Sequence, residues 1–445
     1  MRKFATAILR IVARTFFRRI EIVGEERIPR DAPVLFAVNH PNGLIDPLFL
    51  LCYAPRPVSF LAKAPLFRMP LIGWFVKGFH SIPVYRREDN FSPAQNRETF
   101  ARARETLARG GAIAIFPEGT THSDPRLKAL KTGAARIALG ASLPRVFVVP
   151  AGLFYTSKQT FRSSAVMYFG PPIEVAPAAV DDAGEPPRDE VDALTARIEG
   201  ALAEVVVQGD SRAALDLIDR ADRIFRLGRG DLAEALATRK RFVEGYRWLR
   251  EHDPERLAHA QSRIERFEAE LGAARLEPKE LLPPTFLGSV RTILTLLILM
   301  PLAVAGAVIH YPIYRLIGAA VNRIRSDEEM VATQKAVGGL ALYPLAWMAC
   351  AALAWWRFGW IAAVAVLVAL PILGYIALRF FEQLDAVIGR ARALTWRVAR
   401  RSAYARLVEQ QRAIHDEIVE LDEAMARLGR ASGSPATATG SSPPG

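Results

Sequence analysis

His40 and Asp46 stand six positions apart across an Asn-Gly turn, in the stretch NHPNGLID at residues 39–46. The apolar run from Val34 to Val38 comes just before and reads as a buried strand, so the histidine emerges at a strand end. A neutral imidazole within reach of a hydroxyl can take its proton in the transition state, worth about 10²- to 10⁴-fold. A carboxylate on the other ring nitrogen fixes the tautomer and stabilises the imidazolium. If the chain turns at Asn42-Gly43 and a helix begins near Leu44, Asp46 can point back toward His40. The same spacing also fits a plain turn with an incidental histidine, and a carboxylate held in a first helical turn by the macrodipole.

A second apolar run, Ala112 to Phe116, ends in Pro117-Glu118-Gly119-Thr120. Glycine at such a point permits close backbone approach to a ligand or a positive φ, although a common strand-ending turn has the same composition. Arg126, Lys128 and Lys131 follow, and Lys131-Thr132-Gly133 opens another helical run whose N–H groups favour phosphate. Between the two motifs, GFHSIPVYRR at residues 78–87 places Arg86 and Arg87 after a strand. Arginine forks there suit a phosphate, and a solvated basic strand end would read the same way. The sequence has no G-x-S-x-G elbow, no H-E-x-x-H and no Walker A pattern. With no evident covalent nucleophile, direct transfer is the simpler chemistry. Neither a metal nor a cofactor is implied.

These side chains need a frame. From about 21 to 185 short apolar runs alternate with amphipathic stretches, the pattern of an α/β domain. Candidate strands are 34–38, 58–61, 82–85, 112–116, 146–155 and 165–169, with candidate helices near 44–54, 65–79, 94–108 and 130–141. Residues 176–190, rich in Ala, Pro, Asp and Glu, read as a linker. From 191 to 280 the chain is charged and helical in period, a helical module closed by Pro283-Pro284.

A membrane region is expected over 285–378. Three windows, 292–314, 336–356 and 358–378, carry no charge apart from neutral histidine. Each is long enough to cross about 30 Å of hydrocarbon as a helix. Arg357, flanked by Trp355, Trp356 and Trp360, looks like an interfacial belt at the far end of a tight hairpin. Arg315, Arg323, Arg325 and Lys335 lie between the first two windows, and many arginines follow Arg379. The positive-inside rule puts both regions on the side of the basic catalytic domain, the cytoplasmic face. The first window is then expected to enter and return, breaking near Pro301, while the other two cross. Residues 380–428 read as a basic amphipathic helix, and the tail 431–445 reads as disordered. At the other end, 1–20 reads as an amphipathic helix on an anionic membrane surface, or as an ordinary basic packing helix.

Composition narrows the partners. The chain has 445 residues, 51% of them hydrophobic, and a formal net charge of +12, which calls for an acidic partner. With no zinc spacing, RNP-like stretch or DNA-binding helix pair, the apolar segments favour anionic membrane lipid over nucleic acid. The two cysteines, Cys52 and Cys350, lie in apolar runs and fit a reducing compartment.

Taken in order, NHPNGLID, GFHSIPVYR, FPEGT and VVPAGLFY (148–155) resemble the four blocks of the glycerophospholipid acyltransferases, a family that includes lysophosphatidic acid and glycerol-3-phosphate acyltransferases. The resemblance covers roughly residues 20–180. It implies an α/β acyltransferase domain, an acyl thioester donor (acyl-CoA or acyl carrier protein) and a glycerol-phosphate or lysophospholipid acceptor. It implies His40 as base and Asp46 as its partner. Arg86, Glu118, Gly119 and Thr120 would line the acceptor site, with Arg126, Lys128 or Lys131 supplying the third-block phosphate contact and backbone N–H groups near Gly119 on the oxyanion. Two departures stand out. Five residues separate His40 from Asp46 where four are commonest, and Thr121-His122-Ser123 follows the third block where arginine is commonest. Both look like the fungal-type glycerol-3-phosphate/dihydroxyacetone-phosphate acyltransferases and favour a small acceptor.

Overall fold

The computed structural model describes residues 2–69, 72–85, 93–182, 184–227, 231–282, 286–324 and 328–431. The chain forms two compact units. One is Met1–Gln208 with Gly306–Tyr375, and the other is Gly209–Ala305 with Ile376–Gly445.

The first unit is built on a mixed sheet. Its strands are β1 (Arg19–Val23), β2 (Val34–Val38), β3 (Val58–Lys63), β4 (Ile82–Val84), β5 (Ala112–Ile115), β6 (Val146–Tyr155), β7 (Ser164–Phe169) and β8 (Ile173–Val175). They lie in the order β1-β7-β6-β2-β5-β3-β4, with β8 also paired to β6. All neighbours are parallel except β6 with β7 and β6 with β8. The six strands expected from sequence are present to within two residues. β1 and β8 escape pattern reading because Glu21 and Glu174 interrupt short runs.

Helices cover both faces, as a largely parallel sheet requires. β2 shows why its sequence is apolar throughout. Val34, Phe36 and Val38 face one core with Phe16, Phe49 and Leu50, while Leu35 and Ala37 face a second with Phe100, Leu107 and Ile137. The first layer is α1 (Arg2–Phe16) and α2 (Ile45–Tyr53), and the second is α4 (Pro93–Ala108), α5 (Gly133–Leu139) and α6 (Arg188–Ala203). The helix expected over 65–79 is instead a 3-10 turn, Ala64–Arg68, followed by α3 (Ile72–Gly78). Pro70 disfavours the α conformation at Met69, which is extended.

Three expectations about the surroundings change. Leu9, Ala13 and Phe16 of α1 are buried in the domain, and Arg10 Nε donates to the Cys52 carbonyl at 2.7 Å. The apolar face of α1 is thus largely used in packing, with Ile8 and Ile11 left exposed. Second, 191–203 does not belong to the helical module. It is most of α6, whose Val191, Leu194 and Ile198 pack under the sheet. Third, the window at 292–314 does not break near Pro301. α10 (Phe286–Ile324) is one helix through Pro301 and Pro312, about 58 Å long at 1.5 Å per residue. A proline removes one intrahelical bond, whereas opening the helix among apolar residues would strand several backbone groups.

α11 (Glu328–Phe358) and α12 (Trp360–Ala399) follow, joined at Gly359, which has φ +86°. By length and composition α10, α11 and α12 can each cross a membrane. α12 also absorbs the first part of the expected 380–428 helix. In the second unit α7 (Arg212–Arg226), α9 (Pro254–Ala274) and α13 (Arg401–Ala431) share a core of Ile224, Phe267, Leu271, Leu407 and Ile414. α8 (Leu232–His252) completes the bundle. Ser211, Asp231 and Asp253 cap α7, α8 and α9 through their side chains. The helical module is therefore closed by a segment more than a hundred residues downstream. The tail 432–445 lies outside the described residues.

Candidate active site

Parallel strands β2 and β5 end side by side, and the two candidate motifs leave from their carboxyl ends. Asn39, just past β2, is buried and bridges to β6. Its Nδ2 donates to the Leu153 carbonyl at 3.1 Å, and the Leu153 N–H donates to its Oδ1 at 2.7 Å. This amide continues the sheet ladder by one side chain and fixes the point at which His40 departs.

Asp46 Oδ2 lies 2.7 Å from His40 Nδ1. Because a carboxylate accepts, Nδ1 must donate, and the neutral ring carries its lone pair on Nε2. Asp46 is fully buried and is held on every side. The Asn42 N–H donates to Oδ2 at 2.7 Å, and the Tyr155 hydroxyl donates to Oδ1 at 2.6 Å. Burial, reinforced by the Asp46 charge and hydrogen bond, pushes the Tyr155 hydroxyl well above its ordinary range, so it remains a donor. The His40 ring stacks on Phe116 with centroids 4.0 Å apart and keeps 16% of its side chain exposed. A fixed tautomer on a partly open ring is what a general base requires.

Glu118 braces the same loop from the other side. Its Oε1 accepts the His40 N–H at 3.2 Å, and its Oε2 accepts the Lys128 N–H at 3.0 Å and a bond from His122 Nε2. His122 is fixed in turn. The Asp124 N–H donates to its Nδ1 at 3.2 Å, which puts the ring proton on Nε2, facing Glu118. The His122 N–H also donates to the His40 carbonyl at 3.2 Å.

Of the residues expected at the site, His40, Glu118, Gly119, Thr120 and Lys131 lie in the loops that leave these strand ends and Asp46 in the first turn of α2, while Arg86 lies outside the described residues. Glu118 is placed differently from the expectation. Its side chain is 1% exposed, so its carboxylate ties loops together instead of lining an acceptor site. Gly119, at φ +73°, donates its N–H to the Phe116 carbonyl at 3.0 Å, so that N–H is committed and is not an oxyanion donor in this conformation. The Lys131 side chain passes directly over Gly119, where a Cβ would come within 2.6 Å of it. The Thr120 hydroxyl lies 3.4 Å from the Thr121 carbonyl.

Tyr155, Phe116, His122 and Lys158 were missed from sequence. Lys158 Nζ donates to Ser123 Oγ at 3.2 Å, and its carbonyl accepts from Asn42 Nδ2 at 3.5 Å. Tyr155 closes the block VVPAGLFY and His122 marks a departure already visible in sequence. No local pattern signalled the partners of either. Among the described residues no group of three or more His, Cys, Asp or Glu is placed to hold a metal ion.

Comparison with known proteins finds similarity to several acyltransferases. Residues 19–153 match the family model described as Acyltransferase. Glycerol-3-phosphate O-acyltransferase 1 of Saccharomyces cerevisiae is 25% identical over 77% of this chain and 59% of its own length. Glycerol-3-phosphate O-acyltransferase 2 of the same yeast is 30% identical over 51% of this chain and 32% of its own length. A chloroplastic 1-acyl-sn-glycerol-3-phosphate acyltransferase of Arabidopsis thaliana is 32% identical over 32% of this chain and 38% of its own length. The chain thus spans between about a third and three fifths of these relatives.

Proposed function

We propose that this chain, whose residues 19–153 match the Acyltransferase family model, is a glycerophospholipid acyltransferase that moves a fatty acyl group from an acyl thioester to glycerol 3-phosphate or a related glycerol-phosphate acceptor. The observation that carries the reading is the His40–Asp46 contact of 2.7 Å, with the other imidazole nitrogen available to a substrate hydroxyl. His40 Nε2 takes the hydroxyl proton as the oxygen attacks the thioester carbonyl carbon. The tetrahedral intermediate then collapses, the C–S bond breaks, and the imidazolium returns its proton to the departing thiolate. The products are an oxygen ester and the free thiol of coenzyme A or acyl carrier protein. Asp46 stabilises the imidazolium between these steps, while Asn42 and Tyr155 hold the carboxylate still. Lys131 and Arg86 supply positive charge for the acceptor phosphate.

The small acceptor is favoured because the resemblance to the first yeast protein extends over 77% of this chain, against 32% for the chloroplast protein. The second reading, acylation of 1-acylglycerol 3-phosphate, rests on that shorter match. Purified protein incubated with labelled acyl-CoA or acyl carrier protein and a panel of glycerol 3-phosphate, dihydroxyacetone phosphate and lysophosphatidic acid separates them. Product with lysophosphatidic acid alone would reverse the order. Absence of any ester product would leave an inactive fold that binds lipid.

Three long apolar helices associate the chain with a membrane. We place the catalytic domain on the cytoplasmic face, where acyl thioesters are made. Ala332, in the first turns of α11, lies in the core of the acyltransferase domain, so both sit on one side of the bilayer. Among the described residues only α10 lies between them as an apolar helix, which supports this unbroken helix lying along the membrane on that side without crossing it. α11 and α12 then go out and back. The core shared by α7, α9 and α13 independently requires an even number of crossings between them. Labelling of Ser402→Cys by an impermeant reagent from outside intact cells would overturn this topology.

A further inference from the structure

We propose that Thr333, on the apolar helix α11, is a positioning residue for the His40–Asp46 pair, so that the membrane region forms part of the frame of the active site. This rests on the acyltransferase reading above and adds a component that lies far from the four sequence blocks.

The argument starts from the beginning of α2. The first N–H groups of a helix have no intrahelical partner, and a side chain normally caps them. Leu44 occupies the N-cap of α2 and offers no polar side chain. The Asn42 carbonyl accepts from the N–H groups of Ile45 and Asp46 at 3.0 and 3.2 Å. The Leu44 N–H instead donates to Thr333 Oγ1 at 3.1 Å, across 289 residues of sequence. A hydroxyl on another helix thus substitutes for the local cap, and Asp46 is the second residue of the helix that it caps.

Gly43 supplies a second, separate observation. It has φ +33°, and a Cβ there would stand 2.7 Å from Thr333 Oγ1, 3.1 Å from the Glu329 carbonyl oxygen and 3.2 Å from Met330 Sδ. The turn between the base and its carboxylate therefore lies flat against the first turns of α11, at a distance that only glycine allows. The contact is not a surface touch. Thr333 is 4% exposed, Ala332 is fully buried in the core that contains Phe36 and Phe49, and Lys335 Nζ donates to the Gln159 carbonyl at 2.8 Å. Displacing the turn by a fraction of an ångström would change the angle at which Asp46 meets His40 Nδ1. Misplacement on the order of 1 Å at a reacting group costs about 10²-fold.

The experiment is steady-state kinetics of full-length Thr333→Val, Thr333→Ser and Gly43→Ala in detergent or nanodiscs, with thermal unfolding measured in parallel. Valine keeps the shape and removes the acceptor oxygen. The expected result is a fall in kcat of about 10-fold with acceptor and donor KM unchanged. Serine should restore kcat to within about twofold, because it returns the oxygen while leaving the methyl group absent. Gly43→Ala should cost more than Thr333→Val, and the two together should cost less than the product of their separate effects, since both loosen one contact. A merely structural role would lower the unfolding temperature alike in the valine and serine variants and leave kcat per folded molecule intact. That outcome, or a kcat loss in valine that serine does not restore, would overturn the proposal. An inactive wild-type protein would instead overturn the acyltransferase reading.

Discussion

The His40 cluster in the first unit and the Arg239 cluster in the second both bury charge, but they are arranged to different ends. In the first, Asp46 and Glu118 lie at the carboxyl ends of parallel strands, each accepts several bonds, and the one ring they serve remains partly open. In the second, Arg239 sits inside a helical bundle with its side chain 6% exposed, 3.3 Å from Asp219 and 3.2 Å from Asp222. Burial pushes both of those carboxyls up, and the Arg239 charge opposes the shift. Burial and charge therefore do not by themselves identify a reactive site. What separates the two clusters is that one directs its order toward a ring that remains partly exposed, while the other holds helices together.

The sharpest way to break this comparison is at His40. His40→Ala should lower kcat by at least about 10²-fold with the fold retained. Asp46→Asn should cost as much or less, and the double variant should fall far short of additive. Additive losses, read from kcat of purified proteins, would mean that Asp46 acts apart from the base. Next in size is Arg239→Ala, which strands the buried Asp222 and leaves the partly exposed Asp219 unpaired from it, and should destabilise the helical unit by about 3 kcal/mol in denaturant unfolding. Activity per folded molecule should not change, and a selective loss of kcat would assign this cluster a catalytic role. A smaller effect is expected at His122. His122→Ala removes one of the three donors to Glu118 and should lower kcat by about 10-fold, with His122→Gln recovering part of the loss. Equal activity of all three proteins would show that Glu118 needs no brace. The smallest effect concerns Cys52, which is fully buried and whose thiol burial pushes up to about 12, against the opposing charge of Arg10. In the folded protein at pH 8 it should resist alkylation, as mass spectrometry would show.

Much of the first unit was legible because its signals are local. The runs Val34 to Val38, Ala112 to Phe116 and Val146 to Tyr155 are short, apolar and bounded by turn residues, as strands buried on both faces must be. His40 and Asp46 were legible for the same reason, since a strand end, an Asn-Gly turn and a helix start bring positions six apart together. β1 was not, because Glu21 hides an edge strand that pairs with β7, more than a hundred residues away. The four blocks also identified the residues near the site better than their duties. Glu118 was expected to face the acceptor and instead faces inward, because three donors, one from the His40 loop and two from its own, converge on it.

The sequence by itself determined the strands, the pairing of His40 with Asp46, and the length and apolarity of α10, α11 and α12, all of which follow from periodicity and from spacings within a few residues. Tertiary structure alone decided that α6 packs under the sheet, that α13 completes the bundle begun by α7, and that Tyr155, His122 and Thr333 close around His40 and Asp46. These are pairings across up to 289 residues, and no local pattern encodes them. A hydroxyl on an apolar helix looks the same in sequence whether it faces lipid or caps a helix in an active site, and only the folded packing of α11 against the Gly43 turn distinguishes the two.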